Sequence, residues 1–332
     1  MNKKQKILLI KTGALGDMIL FSFSINVASR AYKNADIYLL TSKQYVEIYQ
    51  GCNLIKQIFA MPEGRNIFHL FNIAKEIRKM RFQKIFDLQG NLKTNFYTFL
   101  FRGKERIGLY KKSSGKIFLT KSVKKKYGIN PVDHQKMFWN KTIGVKIEGE
   151  LQLWIPEEKK QGFSHFFKKY GLLPKNYVVF HPSASIEWKT KKWIPEYWAR
   201  LGEFFSQKNL PVVFIGDKNS VGINEQIIKL MKGKSINIAG KTDFFKLALV
   251  IQQSKMCITT DSGPMHIGSA SKTDTIAIFG PTNPNWHAAP GVKTIKSKIN
   301  CSPCYKKRCT HYSCMKSITP EKILDLIEIE NQ

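Results

Sequence analysis

Short, mostly apolar runs of strand-forming residues alternate along this chain with longer segments in which apolar positions recur every three or four residues. The strand-like runs fall at residues 6–11, 36–40, 84–88, 177–181, 211–215, 256–260 and 275–279. Among the segments between them, residues 66–82 carry a clear helical period. Ile67, Leu70, Phe71, Ala74 and Ile77 share one face there, and that face is expected to pack as core. Strands alternating with helices predict parallel sheets covered on both sides. The alternation lapses at residues 109–130, a basic, Ser- and Gly-containing stretch expected to be a mobile excursion. It breaks again near residues 154–160, where Pro156 and a charged run mark a linker. A fresh strand-first series then begins at residue 177. Two doubly wound α/β domains are expected, residues 1–155 and 156–332, with a ligand cleft between the carboxyl ends of their sheets.

Composition narrows the class. The 332 residues are 43% apolar and 23% charged, as in an ordinary globular protein long enough for two cores. No apolar stretch approaches the roughly 20 residues that span a bilayer, and no period of about 20–50 residues marks a repeat array. Met1 to Lys6 is polar and runs directly into a short strand, unlike a signal peptide, so a cytoplasmic location is expected. The anomaly is a net charge of +30, concentrated between Lys111 and Lys126, where seven lysines occur without an acid. Nucleic acid, an anionic membrane face and an acidic substrate could each draw such charge. A solvated, lysine-rich surface is the bland alternative. No zinc-finger, RNP-type or basic heptad pattern accompanies the charge, so a nucleic-acid partner is not expected.

Four loops at strand ends could carry chemistry. Lys11-Thr12-Gly13-Ala14-Leu15-Gly16-Asp17 follows the first strand and leads into a helix. It lacks the third glycine of a dinucleotide fingerprint and the Gly-Lys-Ser/Thr of a P-loop. Asp17 there reads equally well as a helix N-cap or as a functional carboxylate. Thr260-Asp261-Ser262-Gly263-Pro264-Met265-His266 places Pro264 at a helix start, where free backbone N–H groups can hold a diphosphate and His266 can add a donor. His181-Pro182-Ser183-Ala184 is followed by Lys189-Thr190-Lys191-Lys192-Trp193, and Phe279-Gly280-Pro281-Thr282 is a fourth exit. Cys301, Cys304, Cys309 and Cys314 form a C-x2-C-x4-C-x4-C cluster. In a reducing compartment it suits a structural zinc, with an iron–sulfur cluster or a reduced knot left open. Cys52 and Cys257 stand apart as ordinary thiols.

These motifs, in this order, resemble glycosyltransferase family nine, the heptosyltransferases that act on bacterial lipopolysaccharide. The resemblance extends over nearly the whole chain, through KILLIKTGALGDMIL, DLQGNLKTN, HPSAS…KTKKW, IGD, TTDSGPMHIGSAS, IFGPTNP and the cysteine-rich tail. It implies a GT-B architecture of two Rossmann-like domains, with the acceptor held by the first and the nucleotide sugar by the second. By position, Asp17 would be the general base. Ser183 and Lys191, with Lys192 as the alternative cation, would contact the donor diphosphate. Asp261, Ser262, Gly263 and His266 would complete the donor site, and Thr242 would lie at the adenine. Gly16, Gln89, Gly90 and Lys93 would face the acceptor.

The implied reaction moves heptose from an ADP-sugar to the acidic lipopolysaccharide core in a single inverting displacement. A carboxylate is ionised at neutral pH, so the base needs only hydrogen-bond reach. The chain has no Asp-x-Asp motif, so lysines and helix N-termini are expected to hold the diphosphate and no catalytic cofactor is expected. The implied setting is the inner face of the inner membrane, as a peripheral protein. Two readings compete: a transferase of the same fold using another nucleotide sugar, and a non-catalytic basic anion-binding protein.

Overall fold

The computed structural model describes residues 4–61, 67–144 and 148–328. The chain divides into two compact units, Met1–Ile155 and Pro156–Gln332. In the first, strands β1 (Gln5–Ile10), β2 (Ala35–Ser42), β3 (Gln57–Met61), β4 (Lys84–Asp87), β5 (Glu105–Tyr110) and β6 (Lys121–Lys124) form one sheet in the order β3-β2-β1-β4-β5-β6. In the second, β7 (Val178–His181), β8 (Val212–Phe214), β9 (Ser235–Asn237), β10 (Met256–Thr260), β11 (Thr275–Phe279) and β12 (Lys293–Lys296) form another, ordered β12-β11-β10-β7-β8-β9. Among the described residues every pairing is parallel. Both sheets have the doubly wound Rossmann order, whose direction reverses between β1 and β4 and between β7 and β10. The two units are Rossmann-like domains.

Burial explains why the central strands read as continuous apolar runs. Ile7, Leu8, Leu9 and Ile10 are fully buried, and every residue of β10 and β11 is buried, because helices cover both faces. The strands that periodicity did not reveal are β3, β5, β6, β9 and β12; four of them are short edge strands, and β5 lies beside an edge. Residues 109–130 are not the expected mobile excursion. They finish β5, form a helical turn at Ser113–Lys116 and supply the edge strand β6. Its sequence, Lys-Ser-Val-Lys, buries Val123 alone, so the lysines hide the strand pattern while blunting the sheet edge. The helix expected at residues 66–82 is observed as Ile67–Met80, and Asn66 lies outside the described residues. Ala74 and Ile77 are buried as expected, but Phe71 is 55% exposed. The core stripe follows Leu70, Ala74 and Ile77, and Phe71 lies about 100° round from Leu70. Among the described residues no helix is long and apolar enough to cross a membrane.

Candidate active site

In the first unit the chemistry gathers at the carboxyl ends of β1 and β4. Helix Leu15–Leu20 starts at Leu15 with Ala14 as its N-cap, so Asp17 sits inside the first turn and is not the cap. Its carboxylate lies 3.7 Å from Lys11 Nζ and stays 45% exposed, while Lys11 is largely enclosed. Gly13 stands between two functional groups: a Cβ there would be 3.0 Å from Asp17 Oδ2 and 3.1 Å from Gln89 Oε1. Gln89 is fixed in turn, its Oε1 accepting from the Thr12 N–H at 3.2 Å. Behind it the Asp87 carboxylate accepts from the backbone N–H groups of Gln89 (2.9 Å) and Gly90 (3.0 Å) and from Asn95 Nδ2 (2.7 Å). Burial pushes the Asp87 carboxyl up to about 6, and these hydrogen bonds oppose that rise. Gly90 has φ +66°, and a Cβ would come within 2.5 Å of Leu109 Cβ, so no other residue fits.

The lysine run is divided by the fold. Lys124 and Lys126 are exposed, but Lys125 turns inward and its Nζ donates to the Gln89 carbonyl at 3.3 Å. Burial lowers the Lys125 ammonium, with Lys11 and Lys111 acting in the same direction against Asp17 and Asp87. His134 Nε2 accepts from the Lys126 N–H at 3.2 Å, and burial holds the imidazole down at about 4. Two lysines and a half-exposed carboxylate therefore share one strand-end cluster. It can take a proton at Asp17 and an anionic group at the lysines.

In the second unit the exits of β7, β10 and β11 interlock. Lys191 Nζ lies 2.7 Å from Asp261 Oδ2, with the side chains only 15% and 8% exposed, and the Thr282 hydroxyl donates to the same oxygen at 2.7 Å. The Thr260 hydroxyl donates to the Ser183 carbonyl at 2.8 Å, tying β10 to the loop after β7. Ser262 Oγ is 3.0 Å from His181 Nδ1, and Thr259 Oγ1 is 3.3 Å from it. Burial keeps His181 down at about 4, so it is a neutral partner for these hydroxyls. Ser262 is the extended N-cap of helix Gly263–Ala270, with Pro264 in its first turn and His266 just beyond. The backbone N–H groups of that turn face an exit lined by hydroxyls and one lysine, an arrangement suited to a diphosphate.

The profile of Glycosyltransferase family 9 (heptosyltransferase) matches residues 70–315, most of both units. The chain belongs to glycosyltransferase family 9. Membership sets its enzyme class as a glycosyltransferase. Among relatives of this family 9 protein, lipooligosaccharide heptosyltransferase 2 of Haemophilus influenzae is 23% identical over 96% of this chain and 97% of that protein. Lipooligosaccharide heptosyltransferase 2 of Campylobacter jejuni is 32% identical, but the match spans 46% of this chain and only 51%, about half, of the relative. A crystal structure of a family 9 glycosyltransferase from Veillonella parvula has a TM-score of 0.86 at 20% identity, covering 98% of this chain and 96% of that one. The E. coli heptosyltransferase WaaC with ADP-2-deoxy-2-fluoro heptose has a TM-score of 0.77 at 14% identity, over 99% and 100% of the chains. These likenesses carry the fold.

For the family 9 protein, the expected residues separate into grouped and ungrouped sets. Asp17, Gly16, Gln89 and Gly90 come together in the first unit. Ser183, Lys191, Asp261, Ser262 and Gly263 come together in the second, with His266 half-buried one turn into the same helix. Thr242 lies in the turn after β9, which Gly240 ties to the β8 exit through its N–H to the Gly216 carbonyl at 2.9 Å. Lys192 and Lys93 are exposed and join neither cluster, and Lys93 instead lies 5.8 Å over the Tyr97 ring. Asp87, Asn95 and Lys125 belong to the clusters without having been assigned a role, and His181 and Thr282, expected only as members of their loops, make contacts of their own there. Asp87 could have been found as the polar residue closing the otherwise apolar end of β4. Cys301 is exposed, Cys304 and Cys309 half-buried and Cys314 buried under the Gly280 turn. Among the described residues no three His, Cys, Asp or Glu side chains converge as a metal site. Cys52 and Cys257 are buried, which pushes their thiols up to about 11 and about 12.

Proposed function

We propose that this chain transfers heptose from ADP-heptose to the acidic inner core of lipopolysaccharide, with inversion and without a metal on the diphosphate. The observation that carries the reading is Asp17: a carboxylate in a helix first turn, half exposed, beside one lysine and across Gly13 from Gln89. In the proposed step an acceptor hydroxyl attacks the anomeric carbon and its proton passes to the Asp17 carboxylate. The bond from that carbon to the diphosphate oxygen breaks, and ADP leaves. One displacement inverts the centre. Charge developing on the diphosphate is met by Lys191, the Ser183 and Ser262 hydroxyls, His266 and the N-terminal turn at Gly263, with Thr242 near the adenine. Asp261 serves this set by holding Lys191 in place. Gly16, Gln89 and Gly90 shape the acceptor side, and Lys11 with Lys125 offers positive charge to its acid group.

Kinship with the lipooligosaccharide heptosyltransferases of H. influenzae and C. jejuni supports a heptosyl transfer onto lipooligosaccharide. The ADP-2-deoxy-2-fluoro heptose of the WaaC structure supports the donor. A place at the cytoplasmic face of the inner membrane follows from such an acceptor and from the +30 charge. A structural zinc on the four clustered cysteines has no converging site to support it and forms no part of the reading.

The test incubates the full chain with ADP-heptose and defined core acceptors, following ADP release by chromatography and the product by mass spectrometry. The expected result is acceptor-dependent ADP release with a product heavier by one heptose. Turnover with a different nucleotide sugar alone would overturn the donor assignment. Anion binding with no turnover on any donor would leave a non-catalytic protein.

A further inference from the structure

Helix Leu92–Leu100 begins directly after the Gly90–Asn91 turn of the first unit. Its outward face carries Leu92, Phe96 and Phe99 at i, i+4 and i+7, and these are 50%, 40% and 53% exposed. A helix face turned to water is ordinarily polar. A second segment adds to the face: the Phe118 ring lies 5.5 Å from Phe96 and 5.9 Å from Phe99, and Ile117 beside it is 74% exposed. The two segments are fixed together. Gly115 packs so closely on the helix that a Cβ would fall 2.3 Å from Asn95 Oδ1. The Phe118 carbonyl accepts from Arg106 Nε at 2.8 Å and from the Thr98 hydroxyl at 3.4 Å. The apolar face is therefore built into the fold, in one contiguous patch.

Charge selects its occupant. Residues 92–127 hold eleven Lys and Arg against a single acid, Glu105, which is paired with Lys84 at 2.5 Å. Lys112 and Lys116 are exposed on the turn that leads to Ile117. A second copy docking by the same patch would set these cations against each other. An anionic bilayer accepts both the aromatic side chains at its interface and the lysines at its headgroups. We infer that the face of Leu92, Phe96, Phe99, Ile117 and Phe118 docks the protein on an anionic membrane surface. The docking deepens the proposed transfer, resting on it for its purpose: the helix that enters the interface starts at the acceptor-side turn, bringing Gln89 and Gly90 to the lipid-borne sugar.

The test is sedimentation of the full chain with vesicles of phosphatidylcholine alone or with 30% phosphatidylglycerol, taken as about a third anionic lipid. Binding is expected to the anionic vesicles and not to the neutral ones. Phe96→Ser with Phe99→Ser should weaken it about tenfold or more, while transfer to a delipidated, water-soluble acceptor is unchanged. Lys112→Gln with Lys116→Gln should weaken it about tenfold or more at low salt and less at high salt. Equal sedimentation with both vesicles, or parental binding by the double-Ser variant, overturns the inference. So does self-association that this variant abolishes without any vesicle binding. Vesicle binding without transfer would sink the proposed reaction alone, and transfer without vesicle binding the docking alone.

Discussion

Lys11 with Asp17 and Lys191 with Asp261 are the same two residue types, each at strand ends of a sheet with the same winding. They are built in opposite ways. The Asp261 carboxylate is 8% exposed, 2.7 Å from its lysine, and takes a second hydrogen bond from Thr282. The Asp17 carboxylate is 45% exposed and 3.7 Å from its lysine. The buried Asp261 carboxylate has two partners on one oxygen and holds a cation in position. An exposed one with a single loose partner keeps lone pairs for a hydroxyl proton. Ion-pair geometry, more than residue identity, separates the holding role proposed for Asp261 from the base role proposed for Asp17.

The sharpest break between the two pairs is Asp17→Asn. Transfer should fall by about 10²- to 10⁴-fold in kcat, with ADP affinity and thermal midpoint near the parent's, as the proposed role of general base requires. Steady-state kinetics and ADP titration calorimetry check it, and a parental kcat would return Asp17 to a structural role. Asp261→Ala should do the reverse, leaving Lys191 buried without its partner. A loss of roughly 3 kcal/mol in urea unfolding and a raised donor KM are expected.

Acid should separate the units next. His181 is held down at about 4, below its unfolded 6.5, so its contribution is full above about 6.5 and is lost as pH falls towards 4. In the first unit His134 behaves the same way, but Asp87, raised to about 6, takes up its proton more readily when folded and gains stability over the same window. Those two offset each other, and His181 is left to set the slope. Between pH 6.5 and 4.5 about 2 kcal/mol should be lost through it. Urea midpoints at both pH values should show that loss in the parent and a smaller one in His181→Asn. The smallest effect belongs to Lys11→Met. A loose pair at 3.7 Å whose carboxylate is half exposed stabilises by under about 1 kcal/mol, so the thermal midpoint should barely move. A shift as large as that of Asp261→Ala would erase the contrast between the pairs.

How far the sequence foretold this can be judged residue by residue. Central strands were legible because burial on both faces leaves runs such as residues 7–10 wholly apolar, whereas β6 was hidden by lysines that serve its edge position. The turn residues of both sites were legible because Gly13, Gly90 and Pro264 have backbone roles that few residues can fill. The structure turns Lys191 towards Asp261 and leaves Lys192 exposed and extended just past the turn of residues 189–191, a difference that two adjacent lysines do not reveal in sequence. The inward turn of Lys125 was equally invisible within a run of three lysines. His181 and Thr282 acquire meaning only through partners 81 and 21 residues away.

Parallel pairing throughout also constrains how the molecule reaches this state. Among the described residues neither sheet contains a hairpin, and even Ile107 and Lys121, paired across β5 and β6, lie fourteen positions apart in the chain. No strand can zip onto its sequence neighbour through a tight turn, so each pairing must wait for its crossover to close. Slow, nonlocal assembly exposes apolar central strands for longer. The positive charge of the chain would then act during folding as well, keeping partly assembled copies apart until the helices cover both sheets.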